Sequence, residues 1–171
     1  MQRILLPILV IGVLLLSACG ASSETRLTHY ANKEFGYSID YPKGWILEEL
    51  NPNEIGIMPR DSEYNQIQIY ASAGEPVLGS LSESQIASLT EAWLQQFFDV
   101  MGASNLNVFI NEPASGKWDW RVCFTVIYEE TPLQGVTVMK ETSSTSYILS
   151  LIECLDWPEG QEVIDSFRLT E

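Results

Sequence analysis

The chain has 171 residues, a length that suits one domain with a sizeable hydrophobic core. Acidic residues outnumber basic residues by 23 to 9, so the formal net charge is −14. A surface this acidic repels phosphate backbones and anionic lipid head groups, which makes nucleic acid a poor partner. An apolar content of 46% is typical of a globular chain and excludes a disordered one.

The first 18 residues have the pattern of an export signal. Arg3 gives a positive start, and residues 4–16 form an apolar run that is too short to span a bilayer comfortably. The run ends in Leu16-Ser17-Ala18-Cys19, which resembles the lipobox of bacterial lipoproteins. That resemblance implies cleavage before Cys19, lipid such as palmitate on its thiol, and anchorage on the extracytoplasmic face of the cell membrane. Two or more acyl chains hold a protein stably at a membrane where one does not.

Residues 19–29 are rich in Ser, Thr and Ala and show no hydrophobic periodicity, so we interpret them as a flexible, lipidated tether. The folded domain is expected to cover residues 30–171. His29 is the only histidine and falls at the end of the tether, where a solvated linker residue is expected. A lone histidine excludes a multi-histidine zinc site.

Alternating apolar residues predict the early strands. Residues 35–41 alternate as a half-buried strand, and Trp45 opens a second strand after a turn at Pro42 and Gly44. Further strands are expected over residues 54–58 and around residues 67–71.

A helix is predicted over residues 83–101. Ser82 and Gln85 have the spacing of a capping box, and Gly102 suits the residue after the helix. The helix carries one broad apolar face. Its members are Ile86, Leu89, Trp93, Leu94, Phe97, Phe98, Val100 and Met101.

Strands are predicted at residues 106–110, 118–128, 136–141 and 146–154, and the last three of these favour an antiparallel meander. The meander turns are expected at residues 131–135 and 142–145. A final short helix is expected around Pro158, with Asp156 and Glu159 at capping-box spacing.

The opening segment Phe35-Gly36-Tyr37-Ser38-Ile39-Asp40-Tyr41-Pro42-Lys43-Gly44-Trp45 resembles the start of PsbP-like domains, and the ending Asp165-Ser166-Phe167 is similar to theirs. This family includes the extrinsic P subunit of photosystem II and many bacterial lipoproteins. The resemblance implies an α+β fold in which an antiparallel sheet has helices on both faces, an α/β/α sandwich. It also implies assembly or accessory roles rather than one activity.

Two cysteines remain beside Cys19, and an exported domain with two cysteines invites a disulfide. The predicted meander argues against the bridge. It places Cys123 opposite residues 141–142 and Cys154 opposite Gly135, landing points about 20 Å apart along the middle strand. A disulfide needs Cα atoms within about 7 Å. We therefore expect two buried, slowly reacting thiols.

Candidate ligand-binding residues are few. Trp118 lies at a strand end, on the same predicted face as Trp120, and Glu153 and Asp156 belong to an acidic cluster near the C-terminus. No motif points to catalytic residues, a metal site or a cofactor. We expect a non-catalytic binding or assembly module, with the membrane and a protein at the cell surface as partners. A hydrolase that uses carboxylates or a bound cation, and a lipoprotein that binds a metal or small ligand, are the alternatives.

Overall fold

The computed structural model describes residues 26–62, 64–74, 76–153 and 157–170. Its strands are β1 (Leu27–Asn32), β2 (Tyr37–Pro42), β3 (Ile46–Asn51), β4 (Glu54–Met58), β5 (Gln66–Ala73), β6 (Ser104–Pro113), β7 (Trp120–Tyr128), β8 (Thr131–Glu141), β9 (Thr145–Glu153) and β10 (Arg168–Leu169). Its helices are α1 (Glu83–Met101) and α2 (Pro158–Ser166), and a 3₁₀ turn, Leu78–Ser80, precedes α1. Over the described ranges, no helix has both the length and the apolar character needed to cross a membrane.

The strands form two antiparallel sheets. The large sheet has seven strands in the order β3-β4-β5-β9-β8-β7-β6, and the small sheet has the order β1-β2-β10. Neighbouring residues of β9 point to opposite faces of the large sheet, as the strand period requires. Tyr147 and Leu149 join the core on one face, and Ile148 and Ile152 pack on the other.

The expected α/β/α sandwich is wrong, because the described residues are mostly β-structure. Helix α1 covers one face of the large sheet over β6 to β9. The opposite face is covered by the small sheet, through Tyr37 and Ile39 of β2, together with the short helix α2. The apolar residues of the strand predicted at residues 35–41 therefore belong to the small sheet and pack against the large sheet. Two helical layers do not form.

Helix α1 has the predicted bounds and caps. Ser82 donates its backbone N–H to Gln85 Oε1 at 2.9 Å, and Gly102 adopts a left-handed φ of 75°. The predicted apolar face divides into two stripes. Residues such as Leu94 and Phe98 are buried, whereas Leu89, Trp93 and Val100 remain exposed.

The folded part begins earlier than predicted. Strand β1 starts at Leu27, and residues 27–29, which we assigned to the tether, pair with β2. His29 lies opposite Asp40, and its Nδ1 is 2.7 Å from the Asp40 carboxylate, so it is not a linker residue. Strand β1 was missed because its residues alternate only between exposed and half-buried, which leaves no apolar period.

The predicted meander is present, but the predicted position of its first turn is wrong. The β7–β8 turn consists of Glu129 and Glu130 rather than residues 131–135. Cys123 therefore pairs with Val136, and Glu153 pairs with Gln134. These landing points on β8 are two residues apart, so the argument from a 20 Å separation fails. Cys154 lies outside the described residues, and the redox state of the two cysteines stays a prediction.

The opening motif and the last helix also differ in detail. Gly36 belongs to the β1–β2 turn, where its φ is 65° and an added Cβ would come within 3.2 Å of the Thr170 carbonyl oxygen. Backbone geometry, rather than space beside large rings, thus explains this glycine. The N-cap of α2 is Trp157, without a side-chain cap, so the predicted Asp156–Glu159 capping box is wrong; Asp156 itself lies outside the described residues.

Candidate functional site

A cleft of about 410 Å³ lies beside the N-terminal end of α2, on the same face of the large sheet as the small sheet, and no residue of the small sheet lines it. Strand pairing builds its floor. Cys123 of β7 lies opposite Val136 of β8, and Gln134 of β8 lies opposite Glu153 of β9. The remaining lining comes from the four strands β6 to β9 and from the start of α2 with its N-cap: Phe109, Ile110, Arg121, Gly135, Leu151, Trp157, Pro158 and Gln161.

Glu153, one of the candidate ligand-binding residues from the sequence, lines the cleft. It ends β9, is half-buried, and accepts a hydrogen bond from Gln134 Nε2 at 3.1 Å. Arg121 lines the same cleft, so a cation and an anion face one small space. A cleft of this size, with charged groups and amides set among apolar residues, has the composition of a site for a small polar ligand.

Cys123 is the potential nucleophile of the cleft, and its surroundings do not activate it. Burial raises the pKa of the Cys123 thiol above its ordinary value, and this effect outweighs the opposing influence of the adjacent Arg121. A thiol is therefore the dominant form at neutral pH, and thiols are much weaker nucleophiles than thiolates. His29 does not line the cleft, and its Nδ1 lies 2.7 Å from the Asp40 carboxylate.

Trp118 lies away from the cleft. It precedes β7 and packs on Phe167 with a ring-centroid distance of 5.4 Å. Lys117 Nζ lies 5.1 Å from the Trp118 ring centroid and donates to the carbonyl oxygens of Ile164, Asp165 and Phe167 at the C-terminal end of α2. The predicted shared face with Trp120 is wrong, because Trp120 packs in the core beneath α1.

The predicted ligand-binding residues are therefore not all brought together. Trp118 lies two residues before Trp120, which pairs with Met139 of β8, whereas Glu153 pairs with Gln134 of β8. Met139 and Gln134 are five positions apart, which corresponds to about 17 Å along the strand. Trp118 and Glu153 lie near opposite ends of α2. Asp156 falls outside the described residues. Within the described ranges, no three carboxylate, thiol or imidazole side chains are grouped so that they could hold a metal ion.

Sequence reasoning missed Arg121, Gln134 and Gln161. The two-residue period of β7 could have placed Arg121 beside Cys123, on the face opposite Trp120 and Val122. Gln134 was assigned to a turn, and its approach to Glu153 depends on the true register of the meander. No local signal in the sequence identifies Gln161.

No protein-family model matches the sequence, and no curated protein matches it significantly. The structure, in contrast, is similar to solved structures. The solution structure of cyanobacterial PsbP (CyanoP) from Synechocystis sp. PCC 6803 matches with a TM-score of 0.67 and 13% identity, over 91% of this chain and 99% of that one. The Ran-binding protein Mog1p of Saccharomyces cerevisiae matches with a TM-score of 0.54 and 11% identity, over 86% of this chain and 97% of that one.

These matches define the fold. Each similarity extends over nearly the whole of the other protein, so the chain has a PsbP-like fold. At such low identities the likeness concerns the fold alone.

Proposed function

We propose that this protein is a lipoprotein held by lipid on Cys19 at the extracytoplasmic face of a membrane, where its PsbP-like domain binds a partner and catalyses no reaction. The observation that carries the proposal is the whole-length similarity to CyanoP. The lipobox pattern of residues 16–19 supports the anchor. Mog1p, a second structural neighbour, is described as a Ran-binding protein, which shows that a protein of this fold can bind another protein.

The chemistry of the cleft favours binding over catalysis. Glu153 is the one carboxylate among the described residues that line it, and a glycosidase of the usual type needs two. The neutral Cys123 thiol does not supply a nucleophile. Arg121, Glu153 and the neighbouring amides instead provide fixed charges and hydrogen-bonding groups, which are what recognition of a polar group requires.

The anchor is tested by Cys19→Ser in the full chain. We expect the variant to lose incorporation of labelled palmitate and to remain as the uncut precursor, because the thiol that carries the lipid is gone. The measurement is metabolic labelling followed by gel mobility and membrane fractionation. Ser17→Ala, which keeps a small residue at that position, is the matched control and should be labelled and cut normally. Normal maturation and labelling of Cys19→Ser would reject the anchor.

A further inference from the structure

A second concave surface lies on the α1 side of the large sheet. Helix α1 covers β6 to β9 and leaves the face of β3, β4 and β5 open. A groove of about 250 Å³ runs between the helix and this open face. We call it the α1 groove, and it is lined by Glu54, Gln68, Tyr70, Trp93, Phe97 and Ile148.

The floor of the α1 groove is set by strand register. Glu54 lies opposite Tyr70, and Tyr70 lies opposite Ile148, so the three side chains form a row across β4, β5 and β9. The wall is aromatic. Trp93 and Phe97, one helical turn apart on α1, stack with a centroid distance of 5.8 Å and an interplanar angle of 20°. The rings thus form a preformed platform that needs little ordering on binding.

Apolar side chains beside the groove remain exposed to solvent. On α1, Leu89 is 57% exposed, Trp93 36% and Val100 85%, and across the groove Tyr70 is 39% exposed. Residues 89, 93, 97 and 100 follow one side of the helix at helical spacing. A contiguous apolar surface of this kind, next to a groove, is typical of an interaction site.

Charge selects the kind of partner. The five elements around the groove, α1, β3, β4, β5 and β9, contain no lysine or arginine. Glu54 lines the groove, and Glu48 lies on the same sheet face because it pairs with Gly56, two residues along from Glu54. In an isologous contact, a second copy of the chain would place its own Glu48 and Glu54 carboxylates against these carboxylates. Two chains that each carry a net charge of −14 would also repel each other. Lys and Arg side chains, by contrast, would complement the carboxylates and could stack on Trp93.

We propose that the α1 groove docks an amphipathic segment of a partner protein, with its apolar side chains on Trp93 and Phe97 and its Lys or Arg side chains beside Glu48 and Glu54. The inference rests on the proposed binding function and names the partner's chemistry. It doesn't depend on Cys123, Glu153 or any other residue of the cleft.

The test is photo-crosslinking from residue 93 in the full chain, in the membranes of the cells that make it. Trp93 is replaced by p-benzoylphenylalanine, and the same analogue at Leu169, exposed on β10 of the small sheet and outside the cleft, is the matched control. The adducts are mapped by mass spectrometry. We expect a segment rich in Lys or Arg and in apolar residues to be linked at position 93 and not at position 169. Adding Glu54→Lys should lower the yield roughly threefold or more, because a like charge replaces an attractive one.

Several outcomes would overturn the inference. They are no adduct at position 93, equal adducts at positions 93 and 169, an acidic linked segment, a link to lipid, to a second copy or to residues 1–25 of this chain, and a yield that Glu54→Lys leaves unchanged. If Glu54→Lys lowers the melting temperature, Glu54→Gln serves in its place and should lower the yield less. If the crosslinking test fails while the unsubstituted chain is labelled normally with palmitate, the groove alone is rejected. If the unsubstituted chain takes up no palmitate while the crosslinking test succeeds, the anchor alone is rejected.

Discussion

Tyr37 shows how one side chain joins several parts of the molecule. It lies in β2, is 1% exposed, and its ring stacks on Phe167 at 5.5 Å and meets Tyr147 edge-on at 6.0 Å. Burial raises the pKa of its phenol well above the ordinary value, with a smaller contribution from the nearby Tyr30. The sequence pattern placed Tyr37 in a half-buried strand, but two of its three ring partners, Tyr147 and Phe167, lie more than 100 residues later in the chain.

The raised pKa of Tyr37 predicts a loss of stability at alkaline pH. The folded protein keeps this phenol neutral, whereas the unfolded chain ionises it above about pH 10, so stability is complete below that pH and falls as the pH rises above it. Above that pH, this group should lower the free energy of unfolding with a slope that approaches about 1.4 kcal/mol per pH unit. In Tyr37→Phe this part of the pH dependence should be absent when the free energy of unfolding is measured by urea denaturation at pH 9 to 11. Tyr70→Phe, at an exposed position, is the control, and equal slopes in all three proteins would contradict the prediction.

The candidate site shows what residue patterns can and cannot predict. Glu153 was found because it belongs to a run of acidic residues, and the structure places it in the cleft. Its neighbours Arg121 and Gln134 come from two other strands, and a shift of the turn by a few residues changes which side chains meet. Trp45 is half-buried and stacks on Trp157 at 5.0 Å, a partner that the strand pattern does not indicate. Contacts of this kind depend on how distant elements pack.

At the scale of elements, success followed the strength of the local signal. Helix α1 was predicted to the residue because its period, its cap and Gly102 agree with one another. Strand β4 also has its predicted bounds. Strands β1 and β10 were missed, since one has no apolar period and the other has only two residues, and both exist because β2 lies between them.

The β7–β8 turn was misplaced because its residues break the usual rule. Glu129 and Glu130 have φ values of 46° and 68°, in the left-handed region where hairpin turns normally use Asn and Gly. Each such residue costs about 1 kcal/mol relative to a glycine. The sequence offers Gly135 as a more usual turn residue, yet Gly135 lies inside β8, where an added Cβ would come within 2.4 Å of the Phe124 ring.

The strained turn predicts a stabilising double substitution. Glu129→Asn with Glu130→Gly should raise the free energy of unfolding by about 1–2 kcal/mol, because both residues then tolerate a positive φ. Urea denaturation measures the change. Glu129→Gln with Glu130→Gln removes the same charges without relieving the backbone and should gain less. Ser143→Asn with Ser144→Gly, in the next turn, should give no gain, since neither serine has a positive φ. A gain no larger than that of the glutamine pair would show that charge, not strain, is responsible.

At the scale of the whole molecule, the covering of the large sheet was the part that local pattern could not give. The sequence showed alternating strands and two helices, and a family resemblance suggested helical layers. Which element covers a sheet face depends on pairing between distant segments: β2 accepts β10, which lies about 130 residues later in the chain. Ser166 completes this closure, because its Oγ accepts the Asp40 N–H at 2.8 Å. The two sheets therefore share one core.

That shared core predicts that the two sheets unfold together, and Phe167 is the residue that tests it. Phe167 is 4% exposed and contacts rings from three segments, Tyr37 of β2, Tyr147 of β9 and Trp118 before β7. Phe167→Ala should lower the free energy of unfolding by about 3–5 kcal/mol, as truncation of a buried aromatic ring does. Hydrogen exchange should show faster exchange at amides of β2 and β9 alike, because one cooperative unit opens. Val100→Ala, at an exposed position, should change stability by less than about 0.5 kcal/mol. If the amides of β2 lose protection in Phe167→Ala while those of β9 keep theirs, the small sheet is a separate folding unit and the shared core does not govern its stability.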